Sequence, residues 1–230
     1  MVEVFGIHLI EKEDFLKNKN KWLTLVDDIK RERIQRLIRP VDSQRSLFGE
    51  ILIRSVLCKK LNLKNKDLSF NYNKNDKPFY SDGSIHFNIS HSGEWVVCAT
   101  SKNQVGIDVE KIRKFKIDLA ERFFSSSEVS DLHSLNEKQR NDYFFELWTI
   151  KESYLKLLGR GLTKALNTFT VTKLGNDYKI LSSNHSVLDY FVKQYQIADG
   201  YKMAVVAEES SFSKKITIKT VDDYLKDIKR

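Results

Sequence analysis

The stretch Val105-Gly106-Ile107-Asp108-Val109-Glu110 alternates β-branched residues with acids, a pattern that calls for an extended strand. In such a strand Ile107 and Val109 leave one face, while Asp108 and Glu110 leave the other. About forty residues later, Trp148-Thr149-Ile150-Lys151-Glu152-Ser153-Tyr154-Leu155-Lys156 carries its apolar residues at helical spacing. Trp148, Glu152 and Lys156 fall at i, i+4 and i+8 on one stripe of that helix. The two segments together bring three carboxylates and a lysine. Neighbouring carboxylates repel unless a cation lies between them, and a set of hard oxygen ligands without His or Cys favours Mg²⁺ over zinc. Each segment alone also has a plainer reading. Glu152 and Lys156 suit a surface ion pair worth about 0.3 kcal/mol, and Asp108 and Glu110 suit the solvated face of an edge strand.

The rest of the chain organises around these segments. Residues 2–10 read as a strand, 12–38 as broken helix, and 42–61 as an amphipathic helix with Asp42 as N-cap. Strand patterns cover 68–72, 85–90 and 94–101, with turns at Asp82-Gly83 and Ser92-Gly93. Ser125-Ser126-Ser127-Glu128 has the form of a capping box, and Asn136 caps a long helix that ends near Gly159. Residues 168–207 read as two hairpins turning at Gly175-Asn176-Asp177 and Asp199-Gly200, before an amphipathic tail at 221–228. Val-rich runs at 95–99 and 203–207 close the two parts of the chain in the same way.

Charge and cysteine content narrow the function classes. A formal net charge of +8 calls for an anionic partner. The cluster Lys30, Arg31, Arg33, Arg36 and Arg39 could track phosphates, but Glu32 interrupts it, and no zinc-finger or RNP-type signature accompanies it. Nucleic acid is therefore not the expected partner. The amino terminus has no signal-peptide character, and no apolar run approaches the roughly 18 residues of a membrane span. Cys58 and Cys98 sit in apolar surroundings without metal-type spacing and are expected to be reduced, buried thiols, as in a cytoplasmic protein.

The wording of five segments adds a family resemblance. Phe87-Asn88-Ile89-Ser90-His91-Ser92, Gly106-Ile107-Asp108-Val109-Glu110-Lys111, Arg122-Phe123-Phe124-Ser125, Leu147-Trp148-Thr149-Ile150-Lys151-Glu152-Ser153 with Lys156, and Gly159-Arg160-Gly161-Leu162 stand in this order. With them the chain resembles the Sfp-type 4′-phosphopantetheinyl transferases over nearly its whole length. These enzymes move phosphopantetheine from coenzyme A to a serine of a carrier protein. The resemblance implies an α+β fold, a pseudo-dimer of two similar halves with the active site at their interface. The boundary is placed near Ser101 to Gln104, with residues 1–103 as the first half and 104–230 as the second.

The same resemblance implies roles. Asp108, Glu110 and Glu152 would hold Mg²⁺, with Mn²⁺ tolerated, and Glu152 would accept the serine proton directly or through a metal-bound water. Lys156 would neutralise the pyrophosphate, and Lys151 would add to the field. Lys30, Arg33, Arg45, Lys77, Ser90 and His91 would contact coenzyme A, and Trp148 reads as core or wall. The expected partners are apo acyl and peptidyl carrier proteins of nonribosomal peptide, polyketide and fatty-acid synthesis, including antibiotic pathways. The expected working form is a cytoplasmic monomer. Two other readings remain at this level: a noncatalytic basic module that binds RNA or protein, and a transferase using a different nucleotide diphosphate.

Overall fold

The computed structural model describes residues 1–159, 166–175 and 177–228. The segment Arg160-Gly161-Leu162, quoted for the resemblance, and Asn176 of the first hairpin turn lie outside the described residues.

The first half opens with β1 (Glu3–His8), followed by α1 (Lys12–Leu23), α2 (Asp28–Gln35) and the long α3 (Pro40–Leu61). The short pair β2 (Phe70–Tyr72) and β3 (Pro78–Tyr80) precedes the hairpin of β4 (His86–Ser92) and β5 (Trp95–Ser101). The second half contains β6 (Val105–Lys111), α4 (Ile117–Phe123), α5 (Ser126–His133) and α6 (Glu137–Leu158). It continues with the hairpin of β7 (Thr170–Leu174) and β8 (Asp177–Leu181), then β9 (Phe191–Gln194) and β10 (Tyr201–Ala207). A tail of β11 (Thr217–Ile218) and α7 (Val221–Asp227) ends the described chain.

The two halves share one topology. In the first, β1, α3 and the β4–β5 hairpin give the strand order β1-β5-β4; in the second, β6, α6 and β9–β10 give β6-β10-β9. Both long helices have 22 residues and end at a left-handed residue, Asn62 (φ 55°) or Gly159 (φ 62°). Strand alternation sorts the core into three layers. Val96 and Cys98 of β5 face α3, while Val97 and Ala99 face the middle of the molecule. Ala204 and Val206 of β10 face α6, while Met203, Val205 and Ala207 join Val97, Ala99, Ile107 and Val109 in the central layer. The hydrophobic residues of both sheets are thus shared across the seam.

Most expected elements occur, and the differences have physical reasons. Asp42 is not the N-cap of α3. Arg39 holds that position with Pro40 at the first helical residue, and Asp42 pairs with Arg39 and Arg45 inside the first turns. Far from amphipathic, α3 is buried continuously from Leu47 to Cys58, because the sheet covers one side and α1, α2 and α7 cover the other. β3 and α4 are too short to leave a periodic signal. The tail, read with the second half, packs on the first: β11 pairs in parallel with β1, and Val221, Tyr224 and Ile228 enter the α3 core. The Tyr224 hydroxyl donates to the carbonyls of Gly6 and Thr217. Among the described residues no helix is long and apolar enough to cross a membrane.

Candidate active site at the seam of the two halves

The edge strands β4 and β6 meet through side chains. Asn88, Ser90 and Ser92 alternate along β4 and therefore share one face. Asn88 Oδ1 accepts from the Ile107 N–H at 2.9 Å, Ser90 Oγ from Val109 N–H at 3.4 Å, and Ser92 Oγ from Lys111 N–H at 3.1 Å. A polar side-chain row thus satisfies an edge that would otherwise leave its amides unpaired. The two serines also donate to the acids between those amides, Ser90 to Asp108 Oδ1 at 2.8 Å and Ser92 to Glu110 Oε2 at 2.7 Å.

From the other side comes α6. Gly106 lets the helix lie directly on β6, since a Cβ there would come within 1.9 Å of the Ser153 carbonyl oxygen and 2.5 Å of the Leu157 nitrogen. Ser153 Oγ donates to the Ala204 carbonyl and pins the helix to β10 as well. At this distance Lys156 Nζ reaches Asp108 Oδ1 at 2.6 Å and Ser90 Oγ at 2.8 Å. Glu152, one turn earlier, is pushed up to about 7 by burial first and then by the Asp108 charge, with Lys156 opposing and Glu110 adding a smaller push. Burial and Asp108 likewise raise Glu110, against the hydrogen bond from Ser92. The three acids therefore form one electrostatic group.

Two oxygens of this group have no partner among the described residues: Asp108 Oδ2 and Glu152 Oε1 are buried and make no hydrogen bond with them. Orphaned carboxylate oxygens are costly, and a hard divalent cation satisfies such atoms. The donor chemistry therefore fits Mg²⁺. Among the described residues no group of three His, Cys, Asp or Glu side chains stands closely enough to hold a metal ion; Ser90 and Lys156 occupy Asp108 Oδ1, and Ser92 occupies Glu110 Oε2.

The remaining expected residues fall in different places. His91 is exposed beside the cluster, within the electrostatic reach of Lys156, Arg45 and Asp42. Arg45 donates from Nε and Nη2 to the Gly93 carbonyl at 3.1 and 2.6 Å, holding the β4–β5 turn. Lys30 and Arg33 stand on α2, Lys30 3.6 Å from Glu50 and Arg33 over the Tyr72 ring. Lys77 has its ammonium on the last carbonyls of α6, and burial lowers it to about 8. Lys151 is a correction. It points away from the acids into the second core, fully buried, 2.8 Å from Glu128 and bonded to the carbonyls of Leu166 and Phe169. It is the immediate neighbour of Glu152, and one step along a helix turns the side chain through about 100°. Trp148 is half-buried against Phe123, Phe124 and Phe144, as a wall. The sequence alone gives no role to Ser92, Asn88 or Gly106; the period-two spacing of Asn88, Ser90 and Ser92 is the signal that marks their shared face.

Residues 104–206 match the 4′-phosphopantetheinyl transferase superfamily, and residues 16–103 match the 4′-phosphopantetheinyl transferase N-terminal family. The chain is 35% identical over 228 residues to the 4′-phosphopantetheinyl transferase Sfp of Bacillus subtilis (strain 168), covering 97% of this chain and 100% of that protein. It is 36% identical over 221 residues to the 4′-phosphopantetheinyl transferase ffp of Bacillus subtilis, covering 94% and 97%. With the 4′-phosphopantetheinyl transferase gsp of Aneurinibacillus migulanus it shares 40% over 190 residues, covering 81% and 79%. Two matching halves meeting at an acid-lined seam place the chain in a known class: it belongs to the 4′-phosphopantetheinyl transferase family.

Proposed function

We propose that this chain transfers the 4′-phosphopantetheine arm of coenzyme A to a serine of apo acyl or peptidyl carrier proteins, releasing adenosine 3′,5′-bisphosphate. The observation that carries this reading is the seam cluster, in which Lys156 meets Ser90 and Asp108 beside the orphaned oxygens of Asp108 and Glu152. In the reaction the serine oxygen forms a bond to the β-phosphorus of coenzyme A, and the bond from that phosphorus to the leaving bisphosphate breaks. Mg²⁺, with Mn²⁺ as a substitute, would be held by Asp108, Glu110 and Glu152 and would supply positive charge to the pyrophosphate.

Lys156 stands with its ammonium in the cluster and meets charge developing on the phosphate and leaving oxygens. Glu152, with a buried carboxylate oxygen at the seam, is placed to take the serine proton. Lys30, Arg33, Arg45, Ser90 and His91 form the polar and basic side that receives coenzyme A phosphates, contributed by residues 1–103. The acids and α6 belong to the half beginning at 104. The setting is the cytoplasm, consistent with two free buried thiols, and the carriers are those of nonribosomal peptide, polyketide or fatty-acid synthesis.

The test is intact-mass analysis of several purified apo carriers incubated with the protein, coenzyme A and Mg²⁺. The expected result is the addition of one phosphopantetheine to at least one carrier, abolished by chelator. No mass gain on any carrier, together with nucleic-acid affinity that falls steeply with salt, would replace the transferase by a basic binding module.

A further inference from the structure

The loop between β2 and β3 belongs to the first half, yet its side chains end on the last turn of α6. Lys77 Nζ donates to the carbonyl oxygens of Lys156 at 2.6 Å and Leu157 at 3.2 Å. Asn73 Nδ2 and Asn75 Nδ2 donate to the Gly159 carbonyl at 3.0 and 2.7 Å. The last carbonyls of a helix have no partners inside it and carry the negative end of its dipole. Here the other half supplies donors, one of them cationic, beside the Gly159 N–H that reaches the Lys156 carbonyl at 3.2 Å.

The loop is built to present these donors. Asn73 Oδ1 accepts from the N–H groups of Asn75 and Lys77 at 2.9 and 3.0 Å, and the Asn73 N–H closes the turn on the Lys77 carbonyl. Asp76 takes the left-handed conformation at φ 60° and lies 3.9 Å from Arg33. Lys156 is the residue that links the loop to the chemistry. Its carbonyl receives Lys77, and its ammonium reaches Ser90 and Asp108. Gly106 sets how closely α6 approaches β6, and Ser153 ties the middle of the helix to β10; the loop adds the tie at its C-terminal end, next to Lys156.

We propose that Asn73, Asn75 and Lys77 form a clasp on the end of α6 that sets where Lys156 and Glu152 stand, and that Lys77 is a positioning residue for phosphopantetheine transfer. This rests on the transferase reading above. Lys77 then acts on the reaction through the helix.

The experiment combines steady-state kinetics with hydrogen–deuterium exchange on Asn75→Ala, Lys77→Met and Lys77→Arg, each made in wild type and in Lys156→Ala. Asn75→Ala leaves the Asn73 turn intact and serves where Lys77→Met folds poorly. The clasp predicts that Asn75→Ala and Lys77→Met lower kcat on the order of 10-fold with KM for coenzyme A changed by less than about twofold. Exchange should quicken in the last turn of α6, and Lys77→Arg should recover much of the rate. In the Lys156→Ala background the same substitutions should cost less, because one of the two groups being positioned is gone and only Glu152 remains. A raised KM with unchanged kcat in both backgrounds makes Lys77 a ligand contact and overturns the proposal. Equal losses of kcat in both backgrounds overturn it as well, since a merely structural role adds independently. If wild type modifies no carrier, the transferase reading fails, and the exchange results alone then decide whether the clasp exists.

Discussion

At the residue scale, the chemistry depends on how four side chains share few hydrogen bonds. Asp108 spends one oxygen on Ser90 and Lys156, while its other oxygen and Glu152 Oε1 have no partner among the described residues. Asp108→Ala and Glu152→Gln are therefore expected to lower turnover on the order of 10²-fold or more and to remove the Mg²⁺ dependence of coenzyme A binding. Lys156→Ala should keep that dependence and lose rate. Carrier modification followed by mass, with coenzyme A titration with and without Mg²⁺, separates these outcomes from surface-charge behaviour, and near-wild-type turnover in the acid variants would contradict the assignment. Protonation gives a second expectation. Glu152 stands near 7 in the folded, cation-free protein against about 4.5 in its ordinary state, so between these values the folded form holds the extra proton. Stability of the chelator-treated protein should fall as pH rises from about 4.5 to 7, and Glu152→Gln should flatten that slope in thermal melts. Cation binding should tighten over the same rise in pH, because the ligand must lose its proton.

At the element scale, β6 and α6 are set by a glycine and a buried ion pair. Gly106→Ala would force a methyl group onto the Ser153 carbonyl, which is backbone and cannot swing aside. The expected cost is about 1–3 kcal/mol, seen as a lower denaturation midpoint. A loss of kcat should accompany it, since α6 must move off the strand that carries Asp108. Lys151 separates stability from catalysis in the opposite sense. Glu128 is 1% exposed and shares its carboxylate among Lys151, the Ser125 N–H and the Val171 N–H. Lys151→Met should cost about 3–5 kcal/mol, because it leaves a buried charge without its partner. The folded fraction should retain its KM for coenzyme A; a specific rise in that KM would return Lys151 to the site.

At the scale of the whole molecule, both sides of the proposed site come from one chain: Ser90 and Ser92 from β4, Asp108, Glu110, Glu152 and Lys156 from β6 and α6. The β4–β6 seam supplies within the chain a contact that a single half would have to obtain from another copy. The protein is accordingly expected to act as a monomer. Sedimentation at working concentrations should give the monomer mass, with specific activity unchanged on dilution; an obligate trimer losing activity on dilution would contradict this. The tail adds to the same closure, since β11 extends the first sheet and Tyr224 reaches back to Gly6 across the chain.

What the sequence determined by itself were the local patterns. Alternation put Asp108 and Glu110 on one face of β6, Ser125 and Glu128 made the capping box, Asn136 capped α6, and Gly159 ended it. These depend on neighbours within a few residues, and the five segments carried the family. Tertiary structure alone decided which neighbours the patterned residues met. Lys151 and Lys156 both stand on α6, yet one is drawn to Glu128 in the core and the other to Asp108 at the seam. The tail crossed to the first half because β1 had a free edge and α3 an uncovered apolar side. Lys77, expected from the resemblance to contact coenzyme A, also reaches the carbonyls of Lys156 and Leu157 because the fold sets the β2–β3 loop against the end of α6. A side chain's partner is set by what the fold brings within hydrogen-bond distance, and that information is absent from the order of residues along the strand or helix that carries it.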